Sequence, residues 1–303
     1  MKAWITAALL LATFEWLGAA SAFAAPAADN GMLTGFAGAP QPPRLPPQVR
    51  RLADIAYDSD ARQRFDVYLP EHPQHAPVIV MVHGGAWMIG NKAMPQVVQN
   101  KVAHWVGSGA IFVSIGYRLV PQVGPLDQAS DVAHALAKVQ ALAPAWGGDP
   151  QRLVLMGHSA GAHLVARVGA SPALAQGADA RPWLGTVVLD SGALDLVALM
   201  RAPHARFYDR VFGRDPASWR AASPFDALTP GAPPMLLVGS TQRPDRSCAQ
   251  SAAFATQANA RGVHTSVSEQ DLSHGEINGK LGLPGTYTEA VERFFESVGV
   301  GLR

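Results

Sequence analysis

The chain has 303 residues, 48% of them hydrophobic and 16% charged, with a formal net charge of +1. That length buries one sizeable core, and a near-neutral balance without a Lys/Arg run gives nucleic acid no face to hold. A single cysteine, Cys248, forbids an intrachain disulfide, and ten histidines scattered without His-Glu-x-x-His spacing predict neither a metal site nor a cofactor.

In chain order, Lys2 precedes an apolar run from Ala3 to Phe14, and small residues follow in Ala19-Ala-Ser-Ala-Phe-Ala-Ala25. A charged start, a short apolar stretch and an Ala22-x-Ala24 pattern predict a secretory signal over residues 1–25. The run is too short to span a bilayer and Glu15 interrupts it, so no membrane span is expected after cleavage, and the mature chain is expected to be periplasmic or extracellular. Residues 26–48 hold Pro26, Pro40, Pro42, Pro43, Pro46 and Pro47 with no periodic pattern, which predicts an extended lead-in. The catalytic domain is expected to occupy residues 49–303.

From Asp54 the pattern changes. Ile55-Ala-Tyr57 and Arg64–Leu69 flank the turn-rich Asp58-Ser-Asp60 and predict an antiparallel hairpin. Five aliphatic runs follow without alternation: Val78–Val82, Ala110–Ile115, Leu153–Met156, Gly185–Asp190 and Met235–Val238. Such runs are expected of parallel strands covered on both faces. Thr265–Glu269 is a weaker strand. Helical patterns lie between them at Met94–Val106, Leu126–Leu142, Ala160–Gly169, Ser247–Arg261 and Tyr287–Val298. The fold class is therefore α/β, a doubly wound, mostly parallel sheet with an antiparallel N-terminal hairpin. Asp195–Leu228, which holds Arg201, Arg206, Arg210 and Arg214 with Phe207, Tyr208, Phe212 and Trp219, is too long for a simple crossover and predicts a small cap-like insertion over the strand ends.

The chemistry centres on Leu153-Val-Leu-Met-Gly157-His-Ser159-Ala-Gly161. A buried strand running into Gly-x-Ser-x-Gly and then a helix places a serine on a tight, strained turn with its hydroxyl projecting. A β-carbon at Gly157 or Gly161 would collide with the neighbouring helix or strand. Acyl transfer at such a serine also needs oxyanion donors, a base and an acid. Val82-His83-Gly84-Gly85-Ala86-Trp87 leaves a strand directly, so the amides of Gly84, Gly85 and Ala86, with that of Ala160, are the expected oxyanion hole; His83 reads as a loop brace. His274, between the last strand and the C-terminal helix, is the expected base, in a loop that brings its imidazole over the serine. His158 is expected to project to the opposite side of the turn. For the acid, Asp245 is the only carboxylate on the loop after Met235–Val238, with Asp190, Asp195 and Asp271 as fallbacks.

His83-Gly-Gly-Ala-Trp87, Tyr117-Arg-Leu-Val-Pro121, Asp131, Gly157-His-Ser-Ala-Gly161, Ala222-Ser-Pro224 and Ser273-His-Gly275 occur in an order that resembles α/β-hydrolase carboxylesterases over residues 50–300. The subgroup most resembled is the small esterases akin to arylformamidase and feruloyl esterase. The resemblance implies a serine carboxylic-ester hydrolase acting on a small-molecule ester, with Ser159, Asp245 and His274 as triad and no cofactor. It also implies that Tyr117, Arg118 and Asp131 form a buried polar linkage behind the site. Two competing readings are an aryl-formamide hydrolase of the kynurenine formamidase kind and a non-catalytic binding protein on the same fold. Two departures stand out. Gln242 occupies the place where Gly-x-x-Asp spacing would put an acid, and the donor motif is Gly-Gly-Ala-Trp, not a run of three glycines.

Overall fold

The aliphatic runs become the centre of one eight-stranded sheet of order β1-β2-β4-β3-β5-β6-β7-β8. The computed structural model describes residues 43–302, so the expected signal segment lies outside the described residues. The strands are β1 (Arg50–Ala56), β2 (Arg64–Leu69), β3 (Ala76–Val82), β4 (Ile111–Ile115), β5 (Gly148–His158), β6 (Gly185–Leu189), β7 (Met235–Ser240) and β8 (Thr265–Gln270). β1 pairs antiparallel with β2 and β2 with β4, and every other pair is parallel.

Both faces of the sheet are buried, which is why its strands do not alternate in polarity. Along β3, Val78, Val80 and Val82 enter one core, while Ile79 and Met81 enter the other. The first core takes α2 (Pro125–Leu142), α3 (Ala160–Ala170), Ala175 of α4 (Ala173–Gln176) and Phe254 of α9 (Ser247–Ala260). The second takes α1 (Pro95–Lys101), Trp105, Ile277 of α10 (His274–Lys280), and Val291 and Phe295 of α11 (Thr286–Ser297). A fully buried aliphatic side chain in such layers contributes about 1.5–3 kcal/mol. Among the described residues no helix is long and apolar enough to cross a membrane.

Residues 195–228 fold into four short helices, α5 (Leu196–Arg201), α6 (Arg206–Phe212), α7 (Pro216–Ala222) and α8 (Pro224–Ala227). The carboxylates of Asp195 and Asp215 and the hydroxyl of Ser223 cap three of them. Tyr208, Val211 and Phe212 turn inward, and Phe212 meets Trp87 at 4.9 Å between ring centroids. This insertion therefore sits over the loop that follows β3. α10 has no counterpart in the pattern of the sequence, and the expected loop around His274 is instead its first turn.

Candidate active site

Four loops leave the carboxyl edge of adjacent strands and converge. Ser159 follows β5, Asp190 follows β6, Arg243 follows β7 and His274 follows β8. Their backbones are stitched together: the Ser159 amide donates to the Leu189 carbonyl (2.9 Å), and the Asp190 amide to that of Val238 (2.7 Å).

Ser159 has φ 57° and ψ −118°, a strained conformation for a residue with a side chain. The sharpness of the turn needs both flanking glycines. A β-carbon on Gly157 would overlap the Gly161 carbonyl, and one on Gly161 would overlap the carbonyls of Val82 and His83. The expected reason for these glycines is the one the structure has.

His274 Nε2 lies 2.9 Å from Ser159 Oγ. On the other side of the ring, Nδ1 lies 2.6 Å from Oδ2 of Asp190, whose side chain is wholly buried. The carboxylate that meets the imidazole is thus Asp190 and not Asp245, a correction to the leading expectation. Asp245 instead grips Arg243, accepting from Nε at 2.8 Å and from Nη2, and its side chain is 33% exposed. Asp195 and Asp271 have duties elsewhere. Asp195 caps α5 through Ala198 N (2.9 Å), and Asp271 accepts from Gln242 Nε2 (3.0 Å).

The physical reason is visible at the end of β6. Read as the last residue of a strand, Asp190 would point into an aliphatic core. The strand stops at Leu189, Asp190 turns at φ 58°, and its carboxylate swings to the sheet edge. Aspartate tolerates this left-handed conformation better than most residues. The signal in the sequence is a carboxylate closing an all-apolar run, since a buried charge demands a partner.

Burial alone would raise the Asp190 pKa. The hydrogen bond from His274, the positive charge of Arg243 and the Ser240 amide at 3.0 Å outweigh it and hold the carboxyl well below the usual carboxylate range. An ionised Asp190 only accepts hydrogen bonds, so Nδ1 carries the imidazole proton and Nε2 offers its lone pair to the serine hydroxyl. His158 does not point away, as expected from its place beside the serine. Its ring lies 4.5 Å from that of His274, tilted by 35°, and its Nε2 donates to the His274 carbonyl (2.9 Å). The helix that begins at His274 is itself fixed by a capping box between Ser273 and Glu276.

The loop after β3 makes a tight reversal, with Gly85 at φ 123°, Ala86 at 49° and Trp87 at 61°. Among the described residues, the amides of Gly84, Gly85, Ala86 and Ala160 donate to no protein acceptor, and Ala86 lines the pocket that contains Ser159. Gly84 packs so tightly that a β-carbon would stand 2.9 Å from that of Ser159. The brace is His83: its Nδ1–H donates to the Gly84 carbonyl (2.7 Å), its ring stacks on Tyr117, and Tyr117 Oη donates to the His83 carbonyl (2.9 Å). Burial pushes the His83 pKa down to about 4, so it is a neutral strut near pH 7. Behind it Arg118 forks onto the buried Asp131, with Gln63 Nε2 donating to the same carboxylate at 2.8 Å. The linkage implied by the resemblance is present and reaches the donor loop through Tyr117.

Trp87 Nε1 donates to His163 Nδ1 (3.1 Å), and His163 Nε2–H donates to the Ala222 carbonyl (2.9 Å). The donor loop, α3 and the insertion are therefore tied to one another. Trp87, Phe207, Tyr208 and Arg243 enclose the pocket over Ser159. The arrangement can do one kind of chemistry well: deprotonate a hydroxyl as it attacks a carbonyl, beside amides that receive the negative oxygen.

Comparison with known proteins gives the same direction. Residues 65–258 match the BD-FAE family. A probable isoprenylcysteine alpha-carbonyl methylesterase ICME of Oryza sativa subsp. japonica is 39% identical over 116 residues, 38% of this chain and 27% of that protein. Carboxylesterase NlhH of Mycobacterium tuberculosis (strain CDC 1551 / Oshkosh) is 30% identical over 267 residues, 80% of each chain. The alignment with the first curated relatives it matches thus spans about a quarter of their length. A truncated form of carbohydrate esterase from gut microbiota superposes with a TM-score of 0.74 at 19% identity, over 86% of this chain and 100% of that one, a likeness of fold. With most of its sheet and its serine turn inside the matched region, the chain belongs to the BD-FAE family and has the α/β-hydrolase fold.

Proposed function

We propose that the protein is a serine carboxylic-ester hydrolase. The observation that carries this reading is the unbroken hydrogen-bond path from Ser159 Oγ through both nitrogens of His274 to Asp190, at 2.9 and 2.6 Å. In the proposed reaction Ser159 Oγ attacks the ester carbonyl while Nε2 takes its proton. Asp190 holds the imidazolium, and the tetrahedral oxyanion lies against the amides of Ala86 and Ala160, with Gly85 adjoining. His274 then protonates the departing alcohol. Water, deprotonated by the same nitrogen, releases the acyl group from Ser159.

The walls support a preference in substrate. Trp87, Phe207 and Tyr208 narrow the space beside Ser159. Small acyl groups are therefore proposed. Residues 1–25 are proposed to be a cleaved signal that exports the enzyme, on the strength of Lys2, the apolar run and Ala22-x-Ala24. N-terminal sequencing of the secreted protein checks this, with a start at Ala25 or Pro26 expected.

The test of function is turnover of p-nitrophenyl esters of increasing acyl length, alongside N-formylkynurenine. Fastest hydrolysis of the acetate, abolished in Ser159→Ala, is expected. Preference for the formamide, or retention of activity in Ser159→Ala, would overturn the reading.

A further inference from the structure

In this site the loop after β7 contributes a cation to the imidazole, not a carboxylate. Arg243 is buried, with a side chain only 6% exposed, and four of its five N–H groups have partners in the protein. Nε and Nη2 hold the Asp245 carboxylate. Nη1 donates to the Asp190 carbonyl at 2.9 Å and to Asp190 Oδ2 at 3.2 Å. Pro244 separates the two charged residues, and Gly192 makes space for the pair: a β-carbon there would stand 2.6 Å from Asp245 Oδ2 and 3.0 Å from Arg243 Nη2. The same Nη1 lies 2.8 Å from His274 Nδ1.

Two donors at that distance are compatible only because Oδ2 of Asp190 takes a hydrogen from each. We propose that Arg243, anchored by Asp245, is a positioning residue that pins the Asp190 carboxylate against Nδ1 and so holds His274 in the tautomer that can accept the serine proton. This rests on the esterase reading above. A substrate carboxylate is not its partner, because two aspartates already occupy the guanidinium.

The geometry has a consequence of unusual sign. Without Asp190, Nη1 becomes the nearest polar neighbour of Nδ1 and can only donate. It would draw the lone pair to Nδ1, move the ring proton to Nε2 and leave Ser159 facing a donor. Arg243 therefore assists the reaction when Asp190 is present and opposes it when Asp190 is absent.

The experiment is a double-mutant cycle in kcat and KM on p-nitrophenyl acetate with Arg243→Met, Asp190→Ala and the double variant. Arg243→Met alone is expected to lower kcat by about ten- to a hundredfold, with KM nearly unchanged and part of the loss restored by added guanidinium ion but not by sodium chloride. In the Asp190→Ala background the same change is expected to cause no further loss or to raise kcat. Equal losses in both backgrounds, or an effect on KM alone, would overturn the proposal. If Arg243→Met does not fold, Asp245→Asn decides: a drop in kcat of about three- to tenfold supports the anchor, and an unchanged kcat refutes it. Imidazole ¹⁵N shifts report the tautomer directly, proton on Nδ1 in the wild type and on Nε2 in Asp190→Ala. They test the clamp even if the wild-type protein turns over no ester, an outcome that would sink the esterase reading alone.

Discussion

Replacing Asp190 by Asn separates the two aspartates that compete for the role of acid. The substitution keeps the shape of the side chain and removes its charge. Asp190 is wholly buried, 2.6 Å from Nδ1, and also receives Arg243 and the Ser240 amide. A carboxamide can donate to Nδ1 and favour the tautomer with its proton on Nε2, so the serine loses its base. A change of that kind costs about 10⁴ in kcat, or about 5 kcal/mol at 1.36 kcal/mol per decade. The Asp245 carboxylate accepts hydrogen bonds from Arg243 alone and its side chain is 33% exposed, so Asp245→Asn loses one partly hydrated ion pair and about three- to tenfold in rate. The assay is kcat on p-nitrophenyl acetate, with thermal melts to show that both variants fold. A loss in Asp245→Asn equal to that in Asp190→Asn, or near-normal rates in Asp190→Asn, would refute the assignment of Asp190.

Three further outcomes follow from the packing. Burial pushes Lys101, whose Nζ donates to the Asn278 carbonyl and to Gln96 O, down to about 7. Between pH 7 and the unfolded value of about 10.4, the unfolded chain holds a proton that the folded one does not. Stability should therefore rise with pH there by up to about 1.4 kcal/mol per unit, and Lys101→Met should remove that slope in urea titrations at pH 7, 8.5 and 10; identical slopes in both proteins would count against it. Gly161→Ala drives a β-carbon into the carbonyls of Val82 and His83, so it should abolish either folding or turnover, and a stable, active variant would show that the serine turn is not this tight. Ser273→Ala removes the cap of α10 at a cost of about 1 kcal/mol in stability, and it should also lower kcat because His274 is the first residue of that helix; unchanged kcat would dissociate the cap from the base.

The sheet is legible in the sequence because parallel strands buried on both faces are uninterrupted aliphatic runs, and six of its eight members announce themselves this way or as the hairpin's second strand. β1 shows only two of its seven residues because an exposed edge strand carries no such run. α10 escapes because His274-Gly-Glu-Ile-Asn-Gly-Lys280 holds two glycines and is seven residues long, too short and too weak a helix former to show periodicity. Its capping box, Ser273 with Glu276, is the available clue.

In the site, Ser159 and His274 are readable because each lies next to a recognisable punctuation of strand, glycine and helix. Asp190 ranks behind Asp245 in the sequence, since chain order favours a carboxylate after β7 and the pattern there offers Asp245. What the linear chain hides is that Arg243 satisfies Asp245, and that the backbone turn at Asp190 redirects a residue that reads as strand. The cap shows in the sequence as a segment, but its contribution of Phe207 and Tyr208 to the pocket wall depends on three-dimensional packing alone.

The most direct measurement is the site of covalent capture by an organophosphonate that mimics the tetrahedral intermediate, located by peptide mass spectrometry. A single adduct on Ser159, formed quickly in the wild-type protein, slowly in His274→Ala and not at all in Ser159→Ala, is the predicted result. An adduct on another residue, or labelling of Ser159 at the same rate without the imidazole, would contradict it.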